Sequence, residues 1–148
     1  MTHKKKALSR LRDARGRLRD LEAARTAVAA ARLDEKERGL SAANHDLVTA
    51  LVDACDRLAR ASAVRDLEAA HEGVDHARDG VLAARKQVAV AAEARRAAAA
   101  QLGKRERELR TTERALDRVT TAERREGDRR EQSMLDDLTG ARSMRGEL

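Results

Sequence analysis

Residues 67–119 decide the fold, and they read LEAAHEGVDHARDGVLAARKQVAVAAEARRAAAAQLGKRERELRTTERALDRV. Every seventh residue from Leu67 onward is aliphatic, with Arg95 as the one exception, and alanine occupies most positions three residues later. This pattern, sustained over about eight repeats, predicts a coiled-coil helix in which alanine permits close helix approach. The predicted coiled-coil core consists of Leu67, Val74, Val81, Val88, Leu102, Leu109 and Leu116. The second series is Ala70, Ala77, Ala84, Ala91, Ala98, Arg105, Thr112 and Val119.

The segment HEGVDH, residues 71–76, resembles a zinc-binding HExxH helix but has a different spacing. Two histidines four residues apart bind one metal ion, because that spacing places both rings on one helix face. His71 and His76 are five residues apart, so their directions differ by about 140° on an α-helix. Asp75 shares a face with His71, but two ligands make a weak site. We predict a solvated helix face here and no metal site.

The composition of the 148-residue chain favours long helices over a globular core. The chain contains no Phe, Tyr, Trp or Pro, and 39% of its residues are Asp, Glu, Lys or Arg. Aromatic side chains normally supply much of the buried area of a globular core, whereas helix-forming residues without proline are typical of coiled coils. The chain has no glycine-rich phosphate loop and no pattern typical of a catalytic triad. We therefore predict that it is not an enzyme and uses no cofactor.

The sequence also bears on localisation. The basic start MTHKKKALSR is followed by no apolar segment, which argues against a secretory signal. The apolar stretches on either side of Glu93 are too short and too rich in alanine to span a bilayer. Cys55 is the only cysteine, and it extends a helical stripe formed by Val48, Leu51 and Val52, so we predict that it packs rather than reacts. These features predict a cytoplasmic protein.

The first half of the chain has a less regular heptad pattern. One frame contains Leu11, Leu18, Leu21 and Val28, and a shifted frame contains Leu33, Leu40, Leu47, Leu51 and Leu58. The change of frame at residues 29–33 predicts a local stutter in the supercoil.

A turn is required if the two halves pair within one chain. The segment ARASAV, residues 59–64, is favoured because large apolar residues pause there and Ser62 can cap the next helix. The alternative is GLSAAN, residues 39–44, where Gly39 could end one helix and Ser41 could start another. The favoured turn predicts an all-α single domain, a long antiparallel two-helix coiled-coil hairpin. Its helices span about 4–59 and about 65–145, so the second helix is longer.

The longer second helix leaves an overhang in this hairpin. Pairing residue i with about residue 124 minus i places Met1 opposite Glu123, so a tail at about 120–148 extends beyond the first helix. The tail contains a small apolar patch that can either fray in solvent or dock on another protein. This tail patch consists of Met134, Leu135 and Leu138.

The chain resembles the FliJ/YscO family, the small hairpin stalk proteins of bacterial type III export systems. The resemblance is carried by the basic start LSRLRDARGRLRDLEAAR, the turn near ASA, the longer second helix, and the tail ERREGDRREQSMLDDLTGARSMRGEL. The absence of aromatic residues departs from the flagellar members. An injectisome (virulence) member from a high-GC bacterium is favoured, since arginine outnumbers lysine 26 to 6.

This resemblance implies a non-enzymatic stalk for a hexameric secretion ATPase, which also links the enzyme to the export gate protein. Stator subunits and export chaperones are further implied partners, and the location becomes the cytoplasm and the periphery of the inner-membrane export apparatus. Residues 58–72 would face the gate. The implied ATPase-binding residues are Arg10, Arg12, Met134, Leu135, Asp136, Asp137, Leu138, Arg142 and Arg145.

Two alternatives stay open. The net charge of +6 attracts nucleic acid, but acidic residues interrupt the basic ones outside Lys4–Lys6, and no aromatic side chain can stack on a base. Nucleic-acid binding is therefore the less favoured interpretation. The other alternative is a generic coiled-coil adaptor. Helix exchange could also produce homo-oligomers, because pairing between chains can bury the same heptads as pairing within one chain.

Overall fold

The chain folds into two long α-helices that contact each other. The computed structural model describes residues 3–60 and 64–145, with side chains described as far as residue 138. Helix α1 spans His3–Arg60, with 58 residues, and helix α2 spans Val64–Arg145, with 82 residues. The prediction of an all-α protein is confirmed. Residues 61–63, which include the predicted cap Ser62, lie outside the described residues.

Helix α1 is continuous through the alternative turn at residues 39–44. Gly39 and Ser41 both lie inside α1, and no residue of the described helices has a positive φ. Uninterrupted backbone hydrogen bonding and the absence of proline explain why a single glycine does not end the helix.

The chain divides into two compact units, each built from part of α1 and part of α2. Unit 1 consists of Met1–Asp20 and Lys104–Leu148, and unit 2 consists of Leu21–Gly103.

Unit 2 contains an aliphatic contact face. Leu33 is only 6% exposed, and Ala54, Ala70 and Val81 are also buried. Between Leu33 and Ala54 of α1 the buried and half-buried positions are spaced by three and four residues in turn, as on one face of a coiled-coil helix. These positions are Leu33, Lys36, Leu40, Ala43, Leu47, Ala50 and Ala54. On α2 the corresponding positions are Ala70, Val74, Ala77, Val81, Ala84, Val88 and Ala91.

Unit 1 has the same spacing but a polar contact face on α1. The half-buried positions with this spacing are Lys5, Leu8, Arg12, Arg15 and Arg19, and Ser9 and Gly16 beside them are also half-buried. Lys5 Nζ donates a hydrogen bond to Glu123 Oε2 at 3.3 Å. Met1, which was predicted to lie opposite the region of Glu123, is outside the described residues. Lysine and arginine can occupy this face because their aliphatic stems pack while their charged ends reach partners.

The first predicted frame of α1 does not form the contact face. Leu11 and Leu18 of unit 1 are exposed, as are Leu21 and Val28 of unit 2. The half-buried positions are each displaced by one residue from this frame, and they pass through Thr26, Ala29 and Leu33 without a change of spacing. The predicted stutter at residues 29–33 is therefore wrong. The buried positions of α2 have a constant spacing in unit 2. The buried positions of α1 have the same spacing, because the two faces pack against each other.

The end of α1 shows a similar displacement. Cys55 is exposed, and so are Leu58 and the stripe formed by Val48, Leu51 and Val52. The prediction that Cys55 packs with this stripe is wrong. Ala54 occupies the buried position instead, because a small side chain on the contact face allows the helix axes to approach closely and leaves larger residues at its edge.

Candidate partner-binding surfaces

The tail of α2 is exposed over its whole described length beyond the contact with Lys5. Every residue from Arg124 to Leu138 is exposed, whereas Glu123 is half-buried. This segment has fifteen residues, or about 22 Å of helix at 1.5 Å per residue. It carries five of the nine residues predicted to bind the ATPase, Met134 to Leu138, and its exposure leaves their side chains accessible.

The tail patch presents apolar and acidic side chains on adjacent turns of α2. Met134, Leu135 and Leu138 lie on one side of the helix because their spacing is one and four residues. Each of the three is more than 60% exposed. Asp136 and Asp137 are exposed on the same turn. An apolar patch flanked by carboxylates can bind a protein surface that combines an apolar pocket with basic residues.

The remaining predicted ATPase-binding residues lie in different environments. Arg10 is exposed on α1. Arg12 is half-buried, and its guanidinium donates hydrogen bonds to Asp13 Oδ1, from Nη2 at 2.7 Å and from Nε at 3.0 Å. Arg142 and Arg145 lie outside the residues whose side chains the structure describes.

The predicted core residues of α2 lie along its contact face with graded burial. Val81 is buried, and Leu67 at the start of the helix is 40% exposed. The others are half-buried: Val74, Val88, Leu102, Leu109 and Leu116. Partial exposure is expected when only two helices pair, because neither helix is surrounded on all sides.

A polar cluster in unit 1 was not predicted from the sequence. Arg15 Nη1 donates to the backbone oxygen of Glu108 at 2.8 Å and also to Thr112 Oγ1. Thr112 is 2% exposed, and its hydroxyl donates to the same Glu108 oxygen at 3.0 Å. The polar residues Arg105 and Thr112 at core positions of the heptad were the sequence signal for this cluster. A fully aliphatic core would have left no partner for Arg15.

Arg105 sets the ionisation of this cluster. Its Nη1 donates to Glu108 Oε2 at 3.0 Å. This hydrogen bond lowers the pKa of the Glu108 carboxyl below its usual value of 4.5. Desolvation opposes the shift, and the positive charges of Arg105, Lys104 and Arg15 reinforce it. The lowered pKa favours the ionised form of Glu108, which accepts the hydrogen bond from Arg105.

An open groove in unit 2 was also missed. It has a volume of about 1030 Å³ and lies between the Leu21–Lys36 part of α1 and the Lys86–Ala94 part of α2. The groove exists because Leu21 and Val28 lie beside the contact face instead of on it. The sequence signal for the groove was the first predicted frame of α1, which includes Leu21 and Val28 and was interpreted as part of the coiled-coil core.

The HEGVDH segment lies on an exposed part of α2. His71 Nε2 is 3.3 Å from Asp75 Oδ2, and both side chains are exposed. Within residues 3–60 and 64–138, no three His, Cys, Asp or Glu side chains are grouped so that they could hold a metal ion. Among the described helices, none has a stretch apolar enough, over enough residues, to cross a bilayer.

Comparison with known proteins adds no relative. No family model matches the chain, and no curated protein or solved structure matches it. The similarity of the sequence to export stalk proteins therefore stays a prediction.

Proposed function

We propose that the chain is a non-enzymatic stalk of a type III protein export system, which binds a hexameric secretion ATPase through the tail of α2. The proposal includes an antiparallel coiled coil between α1 and α2. Two contacts in unit 1 support this direction. Lys5 contacts Glu123, and Arg15, which is later in α1, contacts Thr112, which is earlier in α2.

The observation that carries the proposal is the exposed segment from Arg124 to Leu138. A long helix segment whose side chains are exposed lacks much of the packing that normally stabilises helices in water. Its exposed apolar residues are clustered at Met134, Leu135 and Leu138 rather than scattered. A segment of this kind suits a helix that docks in the groove or pore of a larger protein.

Apolar and charged residues contribute to binding in different ways. The tail patch provides apolar area that anchors the complex when it is desolvated. Asp136 and Asp137, together with the basic residues Arg10 and Arg12 of α1, provide charge that orients the partners and speeds their encounter. An ATPase surface that fits would place an apolar pocket beside basic residues, with acidic residues facing α1.

The test measures ATP hydrolysis by a hexameric type III secretion ATPase as the full-length chain is added. The double variant Met134→Asp with Leu138→Asp removes the apolar anchor. We expect it to raise the concentration needed for half-maximal stimulation about tenfold, as the loss of central apolar contacts typically does. Circular dichroism checks that the helix content is unchanged.

The matched control is Thr121→Asp with Gln132→Asp, which adds the same charge at exposed positions outside the tail patch. The control should stimulate hydrolysis like the original chain. Equal stimulation by all three proteins, or no stimulation by the original chain, would contradict the proposal. Steeply salt-dependent binding to duplex DNA without ATPase stimulation would instead favour the nucleic-acid alternative.

A further inference from the structure

The groove of unit 2 has an apolar interior formed by both helices. Its α1 side contains Leu21, Ala24 and Val28, and its α2 side contains Val90, Ala91 and Ala94. Val90 is 71% exposed, and Leu21 and Val28 are about half exposed. On α1 Ala24 lies between Leu21 and Val28, and on α2 Ala91 and Ala94 follow Val90. The groove therefore offers apolar area together with positions at which a neighbouring backbone can approach closely.

The dimensions of the groove fit an α-helix. At 1.5 Å per residue, the α1 side from Leu21 to Lys36 extends over about 22 Å, or about four turns of helix, and the α2 side from Lys86 to Ala94 over about 12 Å, or about two turns. A third helix laid between two others packs its side chains into the spaces between theirs. The groove is open to solvent, so a helix can approach it from the side.

The charged rim of the groove determines which helix fits. Arg25, Arg32, Lys36 and Lys86 line it together with a single acidic residue, Glu35. Arg25 forms an ion pair with Glu22 at 2.9 Å, so Arg32, Lys36 and Lys86 supply the excess positive charge. The same face of a second copy would bring like charges together, which costs binding energy. A helix with acidic flanks would be complementary.

From this geometry we propose that the unit 2 groove binds an acidic amphipathic helix of another protein, with its apolar side against Val28 and Val90. The proposal concerns a different surface from the tail patch and does not rest on the ATPase contact. The exposed aliphatic residues of α1 do not pack in the contact face with α2, and in this proposal they pack against the bound helix.

The test uses a fluorescently labelled synthetic peptide, ELAALEAELAALEAELA, and fluorescence anisotropy with the full-length chain. Its leucines form one helix face, and glutamates flank that face. We expect saturable binding at least about tenfold tighter than that of a scrambled peptide of the same composition, because the scrambled peptide keeps the charge but loses the apolar face. Equal binding of both peptides overturns the proposal, since charge alone would then explain the attraction.

A matched pair of valine substitutions locates the binding surface. Val90→Ser removes apolar area from the groove, whereas Val64→Ser removes it from a valine that is 70% exposed and is not part of the groove. We expect Val90→Ser to weaken binding about fivefold and Val64→Ser to leave it within about twofold. Because both side chains are mostly exposed, both variants should fold. Equal effects of the two substitutions overturn the proposal.

A matched pair of charge reversals tests the rim. Arg32→Glu with Lys86→Glu reverses two rim charges, and Arg65→Glu with Arg78→Glu makes the same charge change at exposed positions outside the groove. The rim variant should bind the acidic peptide at least about tenfold more weakly than the control variant. Analytical ultracentrifugation tests whether a second copy of the chain occupies the groove.

The chain alone is measured first, and then with Val90→Ser or with the peptide added. If the chain forms dimers, if Val90→Ser dissociates them and if the peptide does not, then a second copy occupies the groove and the proposal is overturned.

Discussion

The contact face of α1 has the same spacing in both units, but it is mainly aliphatic from Leu33 to Ala54 in unit 2 and mainly basic in unit 1. In unit 2 it contains Leu33, Leu40 and Leu47, and in unit 1 it contains Arg12, Arg15 and Arg19 among its half-buried positions. Aliphatic side chains contribute through burial, about 1.5–3 kcal/mol for a leucine taken fully out of water. Arginine contributes through its stem and through hydrogen bonds whose net value is about 1 kcal/mol each. The pairing of the two helices therefore decides which positions are shielded from water. The residue types at those positions decide how much each unit is stabilised.

The largest effect should come from deleting apolar volume in unit 2. Leu33→Ala leaves a cavity at a residue that is 6% exposed, so we expect a loss of about 2–4 kcal/mol in the free energy of unfolding. Leu18→Ala in unit 1 is the matched control, because Leu18 is 41% exposed, and it should cost about 1 kcal/mol or less. Urea denaturation followed by circular dichroism measures both. Equal costs would mean that the two leucines are equally buried in solution and would remove the contrast between the units.

An intermediate effect should come from the polar cluster of unit 1. Arg15→Ala removes the hydrogen bonds to the Glu108 carbonyl and the Thr112 hydroxyl, and we expect it to lower the local opening free energy by about 1 kcal/mol. Amide hydrogen exchange of residues 105–116 reports this locally. Arg17→Ala, an exposed neighbour on α1, should change it by less than about 0.5 kcal/mol. Faster exchange in unit 2 than in unit 1 for Arg15→Ala would contradict the assignment.

The smallest effect should be a pH dependence confined to unit 1. The hydrogen bond from Arg105 lowers the pKa of Glu108 in the folded chain. The unfolded carboxyl therefore binds protons more readily than the folded one in acid. Its contribution to stability is present above its usual pKa of 4.5 and is lost as the pH falls through the lowered value. Glu108→Gln removes this contribution, so it should reduce the difference between thermal midpoints measured at neutral and acidic pH.

Glu113→Gln provides the comparison for that measurement, because Glu113 is exposed on the same helix. It should leave the acid sensitivity closer to that of the original chain. If Glu113→Gln reduces the acid sensitivity as much as Glu108→Gln does, the pH dependence comes from general charge on α2 and not from the Arg105 hydrogen bond.

The contact face of α2 could be predicted from the sequence, whereas that of α1 could not. Valine and alanine recur along residues 67–91 at heptad spacing with no competing apolar series of equal regularity, and the same positions are half-buried or buried from Ala70 onward. In α1, Leu11, Leu18 and Leu21 formed a series as regular as the true one, and it lies one residue away from the contact face. Prediction of core positions from hydrophobicity always favours leucine over arginine. It therefore could not predict that the face with arginines contacts α2.

The candidate surfaces divide in the same way. The tail patch was evident from the sequence because Met134, Leu135 and Leu138 stand in a long polar segment, and the structure places them on an exposed helix. The unit 2 groove was not evident, because it requires knowing that Val28 of α1 and Val90 of α2 line the same groove. Proximity between residues so distant in sequence depends on the register of the two helices.

Helical structure in both halves was determined by the sequence itself, because helix propensity, the lack of proline and seven-residue periodicity are properties of neighbouring residues. The tertiary structure alone decided which face of α1 meets α2, that Lys5 reaches Glu123, and that a basic-rimmed apolar groove stays open. The physical reason is that each of these depends on the summed contacts with a second helix. In those contacts an arginine can occupy a core position in place of a leucine, because its stem packs and its guanidinium donates hydrogen bonds. The hydrophobicity pattern of one helix does not predict that substitution.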